Sequence, residues 1–344
     1  MAEEKEFTYP TGKLPMEELS RLLSRYTRKD PGIIVAPGIG KDATVISFGD
    51  KYLVAKSDPI TFAADQIGWY AVHINANDVA AMGGTPRWFL ATLLLPEGKT
   101  GPKEVEEIFS QISGACDELG VILCGGHTEI SYGIERPIVV GQMLGEVEKE
   151  KLVSPDKIRA GDEIILTKGI AIEGTALIAR ELRQVNSVLE EKTLGRCRNL
   201  LRSPGISVVR EARIANEVAA VHAMHDPTEG GLATGLQEMA NASGMGMRVE
   251  MNQILVLPET ALLCEKLKLH PLGLLASGAM LIAVAPRDSE KVIQALKKEG
   301  ISASVIAKVW EREKGVKLAD RGKVFDLPSF ARDEVARLFE GNGG

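Results

Sequence analysis

No apolar run in the sequence approaches the ~20 residues that a membrane-spanning helix requires, so no membrane partner is expected. The first ten residues, MAEEKEFTYP, are acidic and polar. They lack the basic start and apolar stretch of a secretory signal, and the expected compartment is the cytoplasm. Cysteine is sparse. Cys116, Cys124, Cys197 and Cys264 are scattered, with no C-x-x-C pair. That argues against a disulfide frame or a cysteine zinc site and predicts reduced, mostly buried thiols. Basic clusters are missing too. With 41 Lys and Arg against 47 Asp and Glu the net charge is −6, whereas a nucleic-acid partner requires a basic face. No nucleic acid is expected to bind. There is no G-x-S-x-G turn and no Walker A loop.

What remains is enough for a large core. Hydrophobic residues make up 44% of 344 residues, a length that predicts two domains. Residues 1–30 read as an N-terminal arm carrying one helix near 16–26. Residues 31–152 read as a first domain and 153–344 as a second, divided where the texture turns polar around 153–161. In the first, 43–48 and 51–56 read as strands joined by a Gly49-Asp50 turn. A helical stripe follows (Trp69, Val72, Ala76, Val79), then a strand at 89–95. An amphipathic helix over 105–119 comes next, then strands at 121–124 and 137–147. In the second, strands are expected at 163–167, 247–251, 279–285 and 302–309, and helices at 174–182, 207–218, 230–242 and 289–299. A hairpin is expected around Asp320-Arg321-Gly322. Interleaved strands and helices in both halves make the class α/β or α+β.

Five segments carry candidate chemistry. Gly38, Gly40, Lys41 and Asp42 form a glycine-rich turn before a strand, where N–H groups would cradle phosphate oxygens. Asp58 stands in Ser57-Asp58-Pro59 at a strand exit. Asn75, Asn77 and Asp78 are poor helix formers on a predicted helix, with Asn75 and Asp78 on one face away from the apolar stripe. Such a carboxylate suits Mg²⁺. Gly125, Gly126, His127, Thr128 and Glu129 read as a binding loop leaving a strand, with His127 toward phosphate and Glu129 toward metal. Asp226 and Thr228 precede a helix that either would cap, and whose N-terminus would favour an anion.

In this order, over about residues 30–310, the five segments resemble the PurM-like (AIR synthase-related) family. Its members include AIR synthase, thiamine-monophosphate kinase, selenophosphate synthetase and the hydrogenase-maturation protein HypE. The second half is most similar to HypE, through Thr167-Lys168-Gly169-Ile170, Glu173-Gly174-Thr175-Ala176, the 225–232 run and Ala276-Ser277-Gly278. The resemblance implies an N-terminal α/β domain that pairs with its twin to close a β-barrel in a homodimer, and a C-terminal α/β domain over the cleft. It implies ATP and Mg²⁺ in that cleft. Asp42, Asp58 and Asp78 would be the acidic metal and phosphate positions, with Asp58, Asp78 and His127 nearest the chemistry. Gly125, Gly126 and Thr128 would form a second phosphate loop, and Asp226 and Thr228 the substrate side.

The chemistry implied is phosphorylation of an amide-type oxygen by ATP, on a small-molecule or protein acceptor. Three departures shape that expectation. No cysteine follows Cys264, so the acceptor would not be the chain's own C-terminal thiol. Lys41 and His127 stand where the family commonly has carboxylates. Two further readings stay open: a small-molecule kinase of the thiamine-monophosphate type, and a nucleotide-binding assembly protein with reduced catalysis.

Overall fold

The computed structural model describes residues 8–9 and 11–339. Helix α1 (Met16–Tyr26) follows a bend at residues 11–13. The first sheet holds β1 (Ile33–Val35), β2 (Thr44–Phe48), β3 (Lys51–Ile60), β4 (Thr85–Pro96), β5 (Ile122–Ser131) and β6 (Ile138–Val147). Their order is β1-β2-β3-β6-β4-β5. All neighbours are antiparallel except β4 and β5. The expected β2–β3 hairpin forms, with Gly49 at φ +64° in its turn. Strand β3 runs on to Ile60, so Asp58 lies within a strand rather than at its exit.

Helices α2 (Ile67–Ala81) and α3 (Pro102–Leu119) join this sheet. Strand β6 alternates buried and less buried residues with period two, as a strand with one covered face should. Two of its inward positions are glycines. A Cβ on Gly141 would lie 2.3 Å from Asn75 Nδ2, and one on Gly145 2.4 Å from Val79 Cγ1. The missing side chains let α2 settle onto the sheet at the turns that carry Asn75 and Asp78.

The second sheet holds β7 (Glu163–Thr167), β8 (Val221–His225), β9 (Gly246–Glu250), β10 (Leu281–Val284), β11 (Ala303–Trp310), β12 (Val316–Asp320) and β13 (Lys323–Asp326). Its order is β13-β12-β9-β11-β7-β10-β8. Around it lie α4 (Ile172–Glu181), α5 (Glu191–Asn199), α6 (Val209–Val218), α7 (Gly231–Ser243), α8 (Pro258–Leu267), α9 (Pro286–Lys298) and α10 (Ala336–Phe339). Helix α7 packs into a core on one face, and α6 with α9 into a core on the other. Helices α5 and α8 fall where no helix was expected.

Every residue of α2 is buried. The expected division into an apolar stripe and an opposite polar face is therefore wrong. One side lies on the first sheet, while the other meets α6 and β8 of the second half. A third core runs from Val45 and Val72 through Ile172 and Leu194 to Val335, crossing from one half to the other. The first sheet stays open within one chain; among the described residues no closed barrel is formed. Of the thiols, Cys116, Cys197 and Cys264 are buried and Cys124 is exposed. No helix among the described residues is long and apolar enough to cross a membrane.

Candidate active site between the two halves

Strand β3 and helix α2 bring three of the expected residues together. Lys56 and Asp58, two apart on one strand, share a face. Lys56 Nζ lies 3.4 Å from Asp58 Oδ2 and 3.0 Å from Asp78 Oδ2 on α2. Burial pushes the Asp78 carboxyl up, to about 7, and the Asp58 and Asp42 charges act in the same direction while Lys56 opposes them. Burial likewise raises Asp58, against Lys56. Desolvation works against the Lys56 charge, but Asp78, Asp58 and Asp42 outweigh it and hold the ammonium protonated. Among the described residues no three His, Cys, Asp or Glu side chains are gathered tightly enough to hold a metal alone. The expected set of Asp42, Asp58, Asp78 and Glu129 is thus not assembled.

Asp42 is committed elsewhere. Its Oδ1 lies 2.7 Å from His225 Nδ1, whose Nε2 lies 3.0 Å from Glu238 Oε2. Burial opposes protonation of His225, yet the two carboxylates carry it up to about 10. The imidazolium thus ties the 38–42 turn to β8 and α7. Gly40, at φ +70°, sits where a Cβ would be 2.4 Å from the Glu238 carbonyl oxygen. Its glycine serves this close approach, with Ile39 left facing a cavity.

The two asparagines differ in how far the fold uses them. Asn77 donates to the Ile206 carbonyl (2.8 Å) and to Asp226 Oδ2 (3.0 Å), and accepts from the Val208 N–H (2.8 Å). That commitment makes it a joint between the halves. Asn75 donates to the Ala71 and Asp58 carbonyls, and its Oδ1 is buried without a partner. Asp226 Oδ1 is buried and unpartnered as well, and burial raises its carboxyl far above the usual range.

Neither Asp226 nor Thr228 caps α7. The cap is Gly230 in the left-handed region, whose N–H donates to Asp333 Oδ2 at 2.7 Å. Asp333 Oδ1 also accepts from Leu275 N–H at 3.3 Å, so a residue near the C-terminus holds the 228–231 and 275–277 loops side by side. Thr228 instead accepts from Lys13 Nζ at 2.8 Å. Lys13 also lies 3.4 Å from Glu229 and 3.7 Å from Glu238. Nothing in the sequence pairs Lys13 with a loop 215 residues away. Lys56 was more legible, as a charge two positions before Asp58 on a β-rich run.

The Gly125–Glu129 segment is not a loop. It continues β5, the exposed edge strand. Gly126, at φ +144°, would place a Cβ 1.9 Å from the Ala91 carbonyl oxygen, beside a register shift in the β4–β5 pairing. A backbone constraint therefore accounts for Gly126. His127 Nε2 lies 3.1 Å from Glu129 Oε2, and Ser131 Oγ donates to Glu129 Oε1 at 2.8 Å. Strands β6 and β4 separate this group from β3. Within one chain, Gly125, Gly126, His127, Thr128 and Glu129 stand apart from Asp58 and Asp78.

Two cavities meet at the cleft. The larger, about 550 Å³, lies between the arm at Lys13–Leu19, helix α7 and the 327–336 segment. The smaller, about 40 Å³, is bounded by Asp58, Glu173, Thr228 and Ser277. Phe62 and Glu229 line both. Glu173 and Ser277 are buried there, and Ser277 hydrogen-bonds to the Glu173 carboxyl.

Comparison with known proteins supports the fold reading. Residues 40–147 match the AIR synthase related protein N-terminal domain, and 159–318 its C-terminal domain. A protein of Methanocaldococcus jannaschii named as a hydrogenase expression/formation protein is 30% identical over 283 residues, covering 80% of this chain and 81% of the relative. Carbamoyl dehydratase HypE of Rhizobium leguminosarum bv. viciae is 29% identical over 257 residues, 72% of this chain and 67% of its own. The crystal structure of the hydrogenase maturation protein HypE in complex with ATP superposes with a TM-score of 0.71 at 22% identity. It covers 92% of this chain and 91% of the other, and at that identity the likeness is one of fold. By its two matched domains and its M. jannaschii relative, the chain belongs to the AIR synthase related family.

Proposed function

We propose that this chain is an ATP-dependent, HypE-like enzyme. In this reading ATP occupies the larger cavity, its γ-phosphoryl group meets Asp58 and Asp78, and the group passes to an amide-type oxygen of an acceptor on another molecule. ADP leaves as the new P–O bond forms. The observation that carries the proposal is the Asp58–Lys56–Asp78 cluster. Two carboxylates surround one ammonium, and one of them, Asp58, lines the smaller cavity, which shares Phe62 and Glu229 with the larger. Folds rarely retain such an arrangement for stability alone.

A site that accommodates one cation between two carboxylates suits Mg²⁺, which takes one or two carboxylates plus phosphate oxygens and water. Asp58 and Asp78 would hold it, and it would neutralise charge on the transferring group. Lys56, Lys13 and the N–H groups of the 38–42 turn supply the remaining positive field. Relatives named carbamoyl dehydratase and an ATP-bound HypE of the same fold support the reading.

Asp42 is already neutralised by His225, and Glu129 lies on the far edge strand. This favours a second reading, a nucleotide-binding assembly protein with reduced catalysis. The test is calorimetric titration with ATP, with and without Mg²⁺, on the wild type and on Asp78→Ala. Micromolar, Mg²⁺-dependent binding that weakens at least about tenfold in the variant supports a working site. Binding indifferent to both favours the second reading, and no binding at all rules out both.

The same reading extends to assembly as a homodimer. Edge strand β5 exposes Ile122 (61%) and Ile130 (56%), an apolar edge of the kind that pairs with another strand. The wild type is expected to sediment as a dimer and Ile130→Lys as a monomer.

A further inference from the structure

Strand β5 pairs with β4 along one edge and has no neighbouring strand along the other. Of its residues only Leu123 and Ser131 are even half-buried. Such an edge invites a further strand. One face of it carries His127, Glu129 and Ser131, each two positions from the next. Ser131 Oγ donates to Glu129 Oε1 at 2.8 Å, which leaves Oε2 turned to His127 Nε2 at 3.1 Å. Ser131 and then His127 hold the Glu129 carboxyl below its usual range, so the oxygen beside the imidazole is ionised at neutral pH. Strand β5 thus presents a nitrogen and a charged oxygen side by side, the carboxylate fixed by a neighbouring hydroxyl as metal ligands commonly are.

We infer that two copies of this chain, paired antiparallel through β5, hold one Zn²⁺ ion between them on His127 Nε2 and Glu129 Oε2 of each copy. The inference rests on the homodimer reading above. Tetrahedral zinc makes bonds of roughly 2.0–2.2 Å to nitrogen and oxygen, which sets neighbouring ligand atoms about 3.3 Å apart. The 3.1 Å between Nε2 and Oε2 is close to that bite. One chain supplies only these two ligands, since among the described residues no three His, Cys, Asp or Glu side chains gather. The site is incomplete without the second copy. A sheet that runs on from one copy to the next keeps each face on its own side, so odd positions of β5 meet odd positions. Centred on His127, the pairing would stack imidazole on imidazole and set Glu129 against Gly125. Centred on Glu129, it would oppose two carboxylates, which is destabilising. Centred on Thr128, each His127 faces a Glu129, and each Ile130 faces Gly126, which has no side chain to obstruct it. Residues directly opposite in an antiparallel pair stand about 4.5–5.5 Å apart. Two histidines and two glutamates then share one face within reach of a single ion. Imidazole with carboxylate suits zinc, whereas magnesium prefers oxygen alone.

The test follows the full, untagged chain, stripped with EDTA, by sedimentation equilibrium and by calorimetric titration with ZnCl₂. Wild type is expected to take up one zinc per two chains, and the ion should tighten the dimer at least about tenfold. Dimerisation should persist in His127→Ala and Glu129→Ala, because the strand pairing remains, but zinc should no longer tighten it. Ile130→Lys, on the opposite face, should be monomeric and lose the zinc affinity of the wild type while keeping both ligands. Uptake of one zinc per chain, or uptake unchanged in His127→Ala, would mark an adventitious ion only and overturn the inference. A dimer whose strength ignores zinc would overturn it too, with the homodimer reading intact. A wild type that stays monomeric with and without zinc would remove the homodimer reading itself, and the shared site with it.

Discussion

Single residues show how far chemistry can be read from spacing. Asp58 and Asp78 were legible because a carboxylate on a rigid strand or helix needs a reason to be there, and the structure brings them to one ammonium. Asn77 was equally visible, but the same polarity serves architecture. Its three buried hydrogen bonds span 129 to 149 residues of chain. Asn77→Ala should cost about 3 kcal/mol, because it also leaves the buried Asp226 carboxyl without a partner; chemical denaturation measures this. Lys13 carried no signal at all, since its partners come from the other end of the chain. Its side chain is 46% exposed, so its contribution to global stability is small. What Lys13→Ala should change is local. The 11–15 segment is expected to be cleaved faster in limited proteolysis while the rest of the chain resists.

Among the elements, α2 was placed well and its surroundings were not. A helix enclosed on all sides reads as apolar all round, and the polar residues within it looked like an outward face. Only long-range packing shows otherwise. His73 on the same helix is fully buried, with both ring nitrogens unpartnered. It stacks on Trp69 at 4.2 Å, and the Arg202 guanidinium lies over that same indole. Burial, with help from Arg202, depresses its pKa to about 3. The folded state therefore refuses a proton that the unfolded chain accepts below about pH 6.5. The proton-linked cost of His73 is absent above that pH and grows progressively as pH falls from 6.5 toward 3, with a slope up to ~1.4 kcal/mol per pH unit. His73→Leu should remove that slope, seen as the difference between the two proteins' stability against pH. At β5 the glycines were read as the start of a loop, because a bulge and a loop use the same residue. Gly126→Ala should disrupt the β4–β5 pairing and lower Tm, whatever ligand is present. Helices α5 and α8 escaped notice because α5 is polar with Gly195 in its middle and α8 is a short helix with Pro258 at its first turn.

At the scale of the molecule, the alternation of strands and helices was sufficient for the fold class, since period two and period 3.6 survive in local sequence. The pairing order of the strands was not legible, because β6 follows both β4 and β5 in the chain yet inserts between β3 and β4. Nor was the degree to which the halves share a core. Helix α2 belongs by sequence to the first half and by contact to both. The two sheets should accordingly melt as a single calorimetric transition, with equal calorimetric and van't Hoff enthalpies. Two separate peaks would show that the shared core contributes little. If the chain is cut between Val147 and Glu163, Ala80 and Ala81 at the end of α2, now buried against Val153 and Ala212, become bare surface on the first fragment. The fragment should then be insoluble when made alone and recover on mixing with the other. Such split halves would report each other's presence, as a complementation pair whose signal depends on one helix finding its second wall.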